Sequence, residues 1–184
     1  MKVLFLDFDG VITTPPEWKL VSSRIKLIKE LVDKTGVKIV VSSSVRHGLG
    51  RYFSQELKRQ PDDEMILWLK DNIYDITPTK SSERGQEIAA WLDIHSEVDN
   101  YVILDDDSDM LDSQLFHFVQ TDYQTGITEH EYELAYRILM GKYIFNVIGL
   151  NFEIRDRWRK KCEGNIDLWE ETIKYNDLPQ DYEL

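Results

Sequence analysis

Four apolar residues, Val3-Leu4-Phe5-Leu6, run without a break into Asp7-Phe8-Asp9-Gly10-Val11. A continuous apolar run of this length is the pattern of a strand buried on both faces, as in a parallel sheet. The carboxyl ends of such strands are where open α/β sheets bind their ligands. Two carboxylates one residue apart at that end, with Gly10 free to turn the backbone sharply behind them, point to a metal and a phosphate. A solvated acidic turn would account for this pair alone, but not for the clusters that follow it.

Further along, Ile25, Ile28, Leu31 and Val32 have helical spacing, with Ser22 or Ser23 as candidate N-cap and Gly36 where a C′ residue belongs. Val37 to Val41 reads as a second strand. Two strands joined by one helix form a right-handed βαβ unit, with little room for an inserted cap domain. The second strand ends in Ser42-Ser43-Ser44-Val45-Arg46. Serines there can cap a following helix, or offer hydroxyls to an anion beside Asp7.

From His47 to Thr79 the pattern is coarser. Tyr52, Phe53 and Leu57 suggest a helix, and one of the apolar pieces Met65 to Leu69 and Ile73 to Ile76 should be the third strand. Ser81 or Ser82 can cap a helix through Ile88, Ala89, Trp91 and Leu92, with Lys80 and Arg84 around its start. Tyr101-Val102-Ile103-Leu104 then runs into Asp105, Asp106, Asp107 and Asp109. So many carboxylates at one strand end repel one another unless a cation is present. Phe116 to Gln120 reads as a fifth strand, Asp122 to Gly126 as a turn, and Thr128 with Glu131 as a capping box.

In order, these motifs are an acid pair, a serine, a cation and an acidic cluster. The order resembles motifs I to IV of the haloacid dehalogenase (HAD) superfamily, most of whose members are phosphatases. A receiver domain would carry a lone phospho-acceptor Asp on its third strand, and a TOPRIM domain would place Glu before its acid pair. The resemblance implies a Rossmann-like α/β fold: a central parallel sheet, helices on both faces, and a minimal cap or none. It implies that Asp7 is the nucleophile and becomes an aspartyl-phosphate, and that Asp9 is the general acid and base. It gives Ser42 a phosphoryl oxygen to hold, with Ser43, Ser44 and Arg46 as further substrate contacts. The motif III cation is Lys80 or Arg84. The resemblance also implies Mg²⁺ held by Asp7, Asp9 (through its backbone carbonyl), Asp105 and Asp106, with Asp109 a further candidate; Asp106 is expected as a direct ligand and Asp105 as an indirect one.

A closer resemblance rests on Val41 to Arg46, on Arg84-Gly85-Gln86-Glu87-Ile88 with Trp91-Leu92, on Tyr101 to Asp106, and on Thr121-Asp122 with Thr125-Gly126. These segments are similar to the small HAD domains related to Swiss Army Knife RNA repair proteins. The resemblance implies a phosphomonoester hydrolase acting on nucleic-acid terminal phosphates. The alternatives are a phosphatase of small metabolites such as nucleotides or sugars, and a non-catalytic binding module of the same fold.

Composition narrows the partners. A net charge of −12 over 184 residues argues against strong non-specific binding to nucleic acid. No apolar run approaches a membrane span, and the amino terminus lacks the order of a secretory signal. The single cysteine, Cys162, fits a reducing cytoplasm, which is the expected location. The expected organisation is a catalytic domain over residues 1–141 and an extension over 142–184 packed on it. In that extension Phe152, Ile154 and Trp158 alternate with Arg155, Arg157 and Arg159, the pattern of a protected edge strand or of a basic stripe for a polyanion.

Overall fold

The computed structural model describes residues 1–79 and 83–141. Five strands form one parallel sheet: β1 (Lys2–Leu6), β2 (Lys38–Val41), β3 (Ile73–Ile76), β4 (Asn100–Asp105) and β5 (Phe118–Gln120), in the order β3-β2-β1-β4-β5. The strand with the least polar sequence, β1, is therefore central. Its alternate side chains serve two cores. Leu4 and Leu6 join Ile39, Val41, Val102 and Leu104 on one face; Val3 and Phe5 join Val40, Ile103 and Phe118 on the other.

Helices cover both faces, as the family resemblance implies. Helices α1 (Ser22–Thr35), α2 (Leu49–Arg59), α3 (Glu64–Asn72) and α5 (Glu129–Leu139) lie over the Leu4–Leu6 face. Helix α4 (Arg84–Leu92) and the 3-10 helix Asp112–His117 cover the Val3–Phe5 face, where Phe5 meets Trp91 edge-on at 5.4 Å between ring centroids. The segment between β2 and β3 is taken up by α2, α3 and a 3-10 helix, Ser44–Gly48, and no separate cap domain stands among the described residues.

Of the two apolar pieces left open, Met65 to Leu69 is helical and Ile73 to Ile76 is the third strand, because Asp63 accepts the N–H groups of Met65 and Ile66 and so starts α3 just before the apolar run. Other local expectations are corrected. Neither Ser22 nor Ser23 caps α1. The N-cap is Val21, and the Ser22 hydroxyl instead bonds the carboxylate of Asp63. Strand β2 begins at Lys38, and β5 begins at Phe118, since Phe116 and His117 close the 3-10 helix before it. The Gly36 C-cap and the Thr128–Glu131 capping box form as the sequence indicates. Lys80, Ser81, Ser82, Cys162 and the alternating arginines fall outside the described residues, as does the 142–184 extension. Among the described residues no helix is long and apolar enough to cross a membrane.

Candidate phosphoryl-transfer site

The site follows from the pairing of β1 with β4. Leu6 stands opposite Leu104, so the residue that follows each, Asp7 after β1 and Asp105 at the end of β4, emerges at the same sheet end. The Asp7 N–H donates to the Leu104 carbonyl at 3.0 Å, which carries the pairing one residue past the strand. Carboxylate oxygens of Asp7, Asp105 and Asp106 all lie within 4.8 Å of one another. Asp7 and Asp105 are buried, and Asp105 Oδ2 has no hydrogen-bond partner among the described residues. Three oxygen donors of this kind suit a hard divalent cation such as Mg²⁺.

Gly10 makes this crowding sterically tolerable. Its φ of 72° lies in the left-handed region, and a Cβ there would sit 2.3 Å from Asp106 Cγ. The turn itself is closed by the N–H groups of Val11, Ile12 and Thr13, all donating to the Phe8 carbonyl.

The side chain of Asp9 is not in the three-carboxylate group. Its Oδ1 accepts the Thr13 hydroxyl at 2.7 Å, and Thr13 is fully buried. Thr121, buried at the end of β5, donates its hydroxyl to the Gly10 carbonyl at 2.7 Å. Thr121 belongs to a segment that carries the family resemblance, but nothing in the sequence gives it this role, and Thr13 is a lone hydroxyl residue without a pattern. A signal for Thr13 exists only in hindsight, four residues beyond Asp9.

Arg84 reaches the cluster from the first turn of α4. Its Nη2 lies 3.2 Å from Asp7 Oδ1 and its Nε 3.4 Å from Asp105 Oδ2. The expected serine caps lie outside the described residues, and Glu83, at the N-cap, forms no side-chain cap. Asp109 does the work from another loop: its Oδ2 accepts the Arg84 N–H at 2.7 Å, and its carbonyl accepts that of Gly85 at 3.2 Å. Asp109 therefore holds the helix that presents Arg84, and is not in the three-carboxylate group.

The serines after β2 divide. Ser42 and Ser43 are buried, and neither hydroxyl has a hydrogen-bond partner among the described residues. Ser44 is exposed at the start of its 3-10 helix. Arg46 turns away from solvent. Its Nη1 donates to the carbonyls of Ser42 and Ser43 at 2.7 and 2.9 Å, and its Nη2 pairs with Glu87 at 2.6 Å. The arginine read from sequence as a substrate contact here ties the serine loop to α4.

The electrostatics match the crowding. Burial lifts the Asp7 carboxyl to about 6, against the opposing pull of the Arg84 guanidinium and the nearby Ser43 hydroxyl. Burial, and then the charge of Asp7, lift Asp105 well above the ordinary carboxylate range. Asp106 is also raised, chiefly by burial. Burial works against the charge of Arg84, but Asp105 and Asp7 outweigh it and hold the guanidinium above its ordinary value. Such a site is short of positive charge.

No curated protein and no solved structure matches the chain. The model of the HAD domain in Swiss Army Knife RNA repair proteins matches residues 3–132, which carry all five strands and every described residue of the site, and the chain belongs to that family.

Proposed function

We propose that the chain is a Mg²⁺-dependent phosphomonoester hydrolase working through an aspartyl-phosphate on Asp7. The observation that carries this reading is the set of three carboxylates within 4.8 Å, two of them buried, at the ends of adjacent parallel strands. Asp7, Asp105 and Asp106 would hold the ion, with the backbone carbonyl of Asp9 as the family resemblance implies. A bound Mg²⁺ would neutralise the phosphoryl oxygens and the acids facing them.

An Asp7 carboxylate oxygen attacks phosphorus, and the bond to the leaving oxygen breaks. Asp9, oriented by Thr13, gives its proton to that oxygen. Asp9 then takes a proton from a water that attacks phosphorus. This releases inorganic phosphate and restores the Asp7 carboxylate. The Ser42 hydroxyl, without a partner among the described residues, and the Ser43 hydroxyl, beside Asp7, donate to phosphoryl oxygens. Arg84 is the motif III cation: it already bridges Asp7 and Asp105, and its Nη1 has no partner among the described residues.

The family's description, RNA repair, favours a nucleic-acid terminal phosphate as the substrate over a sugar phosphate. Residues 1–141 would form the catalytic domain, with 142–184 an extension of it.

Acid quenching during turnover of a ³²P-labelled substrate tests the mechanism. Label should remain on the parent chain and be released by hydroxylamine, as expected of an acyl phosphate. Asp7→Asn should hold no label and turn over nothing. Turnover by Asp7→Asn at the parent rate would overturn the reading.

A further inference from the structure

Two loops meet beside the three carboxylates, and together they carry a contact surface that the phosphoryl chemistry leaves unused. One runs from Asp7 to Val21, the other from Thr121 to Thr128 between β5 and α5. They are fastened by the Thr121–Gly10 bond and by the Ile127 N–H, which donates to the Val11 carbonyl at 2.9 Å. A Cβ at Gly126 would fall 2.4 Å from that same carbonyl oxygen, so the two backbones touch.

On this rim Trp18 and Tyr123 meet edge to face, with ring centroids 5.3 Å apart and planes at 60°. Tyr123 remains 45% exposed, and Trp18 holds a φ of 46°, a conformation that bulky side chains rarely adopt. Arg24, in the first turn of α1, reaches both of the loops that carry them. Its Nη1 donates to the Thr14 hydroxyl at 3.0 Å, the Trp18 N–H donates to the Thr14 carbonyl at 3.1 Å, and Arg24 Nε lies against Gly126. Among the described residues Arg24 has no carboxylate partner, and burial pulls its pKa below the ordinary value. A partly desolvated guanidinium without a counter-charge among the described residues, on the same rim as an exposed tyrosine and a half-buried tryptophan, fits a ligand that is both flat and anionic.

Resting on the phosphatase reading above, we propose that Trp18, Tyr123 and Arg24 bind the terminal nucleotide of a nucleic-acid strand. The rings receive its base, and Arg24 takes an oxygen of the neighbouring phosphodiester. The placement is direct: Thr13, which orients Asp9, is followed at once by Thr14, which holds Arg24 and Trp18. Aromatic rings accept any base face, so the rim selects nucleotides as a class and reads no sequence. Arginine suits the phosphodiester because its planar fork meets two oxygens together. A sugar phosphate offers neither partner.

Three substrates separate this from rings that merely fasten two loops: a terminally phosphorylated oligonucleotide, the matching nucleoside monophosphate, and glycerol phosphate. In Trp18→Ala, kcat/KM for the two base-bearing substrates relative to glycerol phosphate should fall about tenfold, the scale of one base–aromatic stack. Trp18→Phe should recover most of it. Arg24→Gln should weaken the oligonucleotide relative to the mononucleotide and flatten its salt dependence. Equal losses on all three substrates in Trp18→Ala, or none, would overturn the aromatic contact. An Arg24→Gln variant that treats oligonucleotide and mononucleotide alike would overturn the strand-end assignment. Calorimetric binding of the nucleoside monophosphate to the parent and to Trp18→Ala keeps the two readings apart. Binding lost with Trp18 but without hydrolysis by the parent would sink the phosphatase alone, and hydrolysis without Trp18-dependent binding would sink the rim alone.

Discussion

Gly10 and Asp106, far apart in sequence, press together so closely that a Cβ on the glycine would lie 2.3 Å from the carboxyl carbon of the aspartate and 2.6 Å from both its oxygens. The glycine of the first motif thus serves two purposes. It takes a φ of 72° that closes the turn, and it leaves the space that Asp106 fills.

Gly10→Ala should therefore do more than strain a turn. The left-handed conformation alone costs an alanine about 1 kcal/mol, and the collision must in addition push Asp106 away from Asp7 and Asp105. The expected outcome is a lower melting temperature together with loss of the stabilisation that Mg²⁺ gives the parent. A variant that melts lower but keeps the full Mg²⁺ shift would mean that Asp106 is not held by this contact.

The Arg46–Glu87 pair makes a second case. Both side chains are at least nine-tenths buried, and Arg46 also carries the carbonyls of Ser42 and Ser43. Removing one partner strands the other as a buried charge, at about 3–5 kcal/mol. Arg46→Ala should lower stability by that order in denaturant titration, and the double variant Arg46→Met with Glu87→Leu should recover much of the loss. A stable Arg46→Ala protein with a raised KM would instead return Arg46 to the substrate.

How far the sequence carries is set by the range of the interactions concerned. The apolar runs of β1, β2 and β4 announce themselves because burial on both faces imposes a pattern on contiguous residues. The acids and serines at their ends follow from that placement. Arg46 misleads because a lone arginine after a strand reads the same whether it meets a ligand or a glutamate 41 positions away. Thr13, Thr121 and Asp109 act across loops, through single hydrogen bonds that leave no periodic trace. The piece from Met65 to Leu69 has an apolar content that suits helix and strand alike. Its type is decided by Asp63, a cap that lies just outside the run.

Asp106 and Asp109 should part company under metal titration. Asp106 stands with Asp7 and Asp105, whereas Asp109 spends one carboxylate oxygen on the Arg84 N–H. Asp106→Ala should abolish most of the rise in melting temperature produced by Mg²⁺. Asp109→Ala should cost roughly the 1 kcal/mol of a lost N-cap, lower the melting temperature accordingly, and keep the Mg²⁺-induced rise. Equal Mg²⁺ responses in the two variants would show that the ligand is wrongly assigned.

The last prediction concerns pH in the metal-free protein. An Asp carboxyl raised from 3.8 to about 6 by burial binds its proton more tightly in the folded chain than in the unfolded one. Between about pH 4 and 6 the unfolded state therefore holds fewer protons at this position, and stability falls as pH rises through that window. One full proton difference gives a slope of at most about 1.4 kcal/mol per pH unit. Asp105 and Asp106, also raised, add with the same sign. Chelated protein should thus lose stability from this cluster on going from pH 5 to pH 7. Asp7→Asn should stabilise it at pH 7 and flatten the dependence, because the amide never ionises. Saturating Mg²⁺ should remove the same slope from the parent by favouring the ionised acids. The comparison to make is the difference in melting temperature between parent and Asp7→Asn at each pH, with chelator and with Mg²⁺. If that difference does not change between pH 4 and 7 in chelator, the buried carboxylates are not the source of the strain, and the argument that the site is short of a cation goes with them.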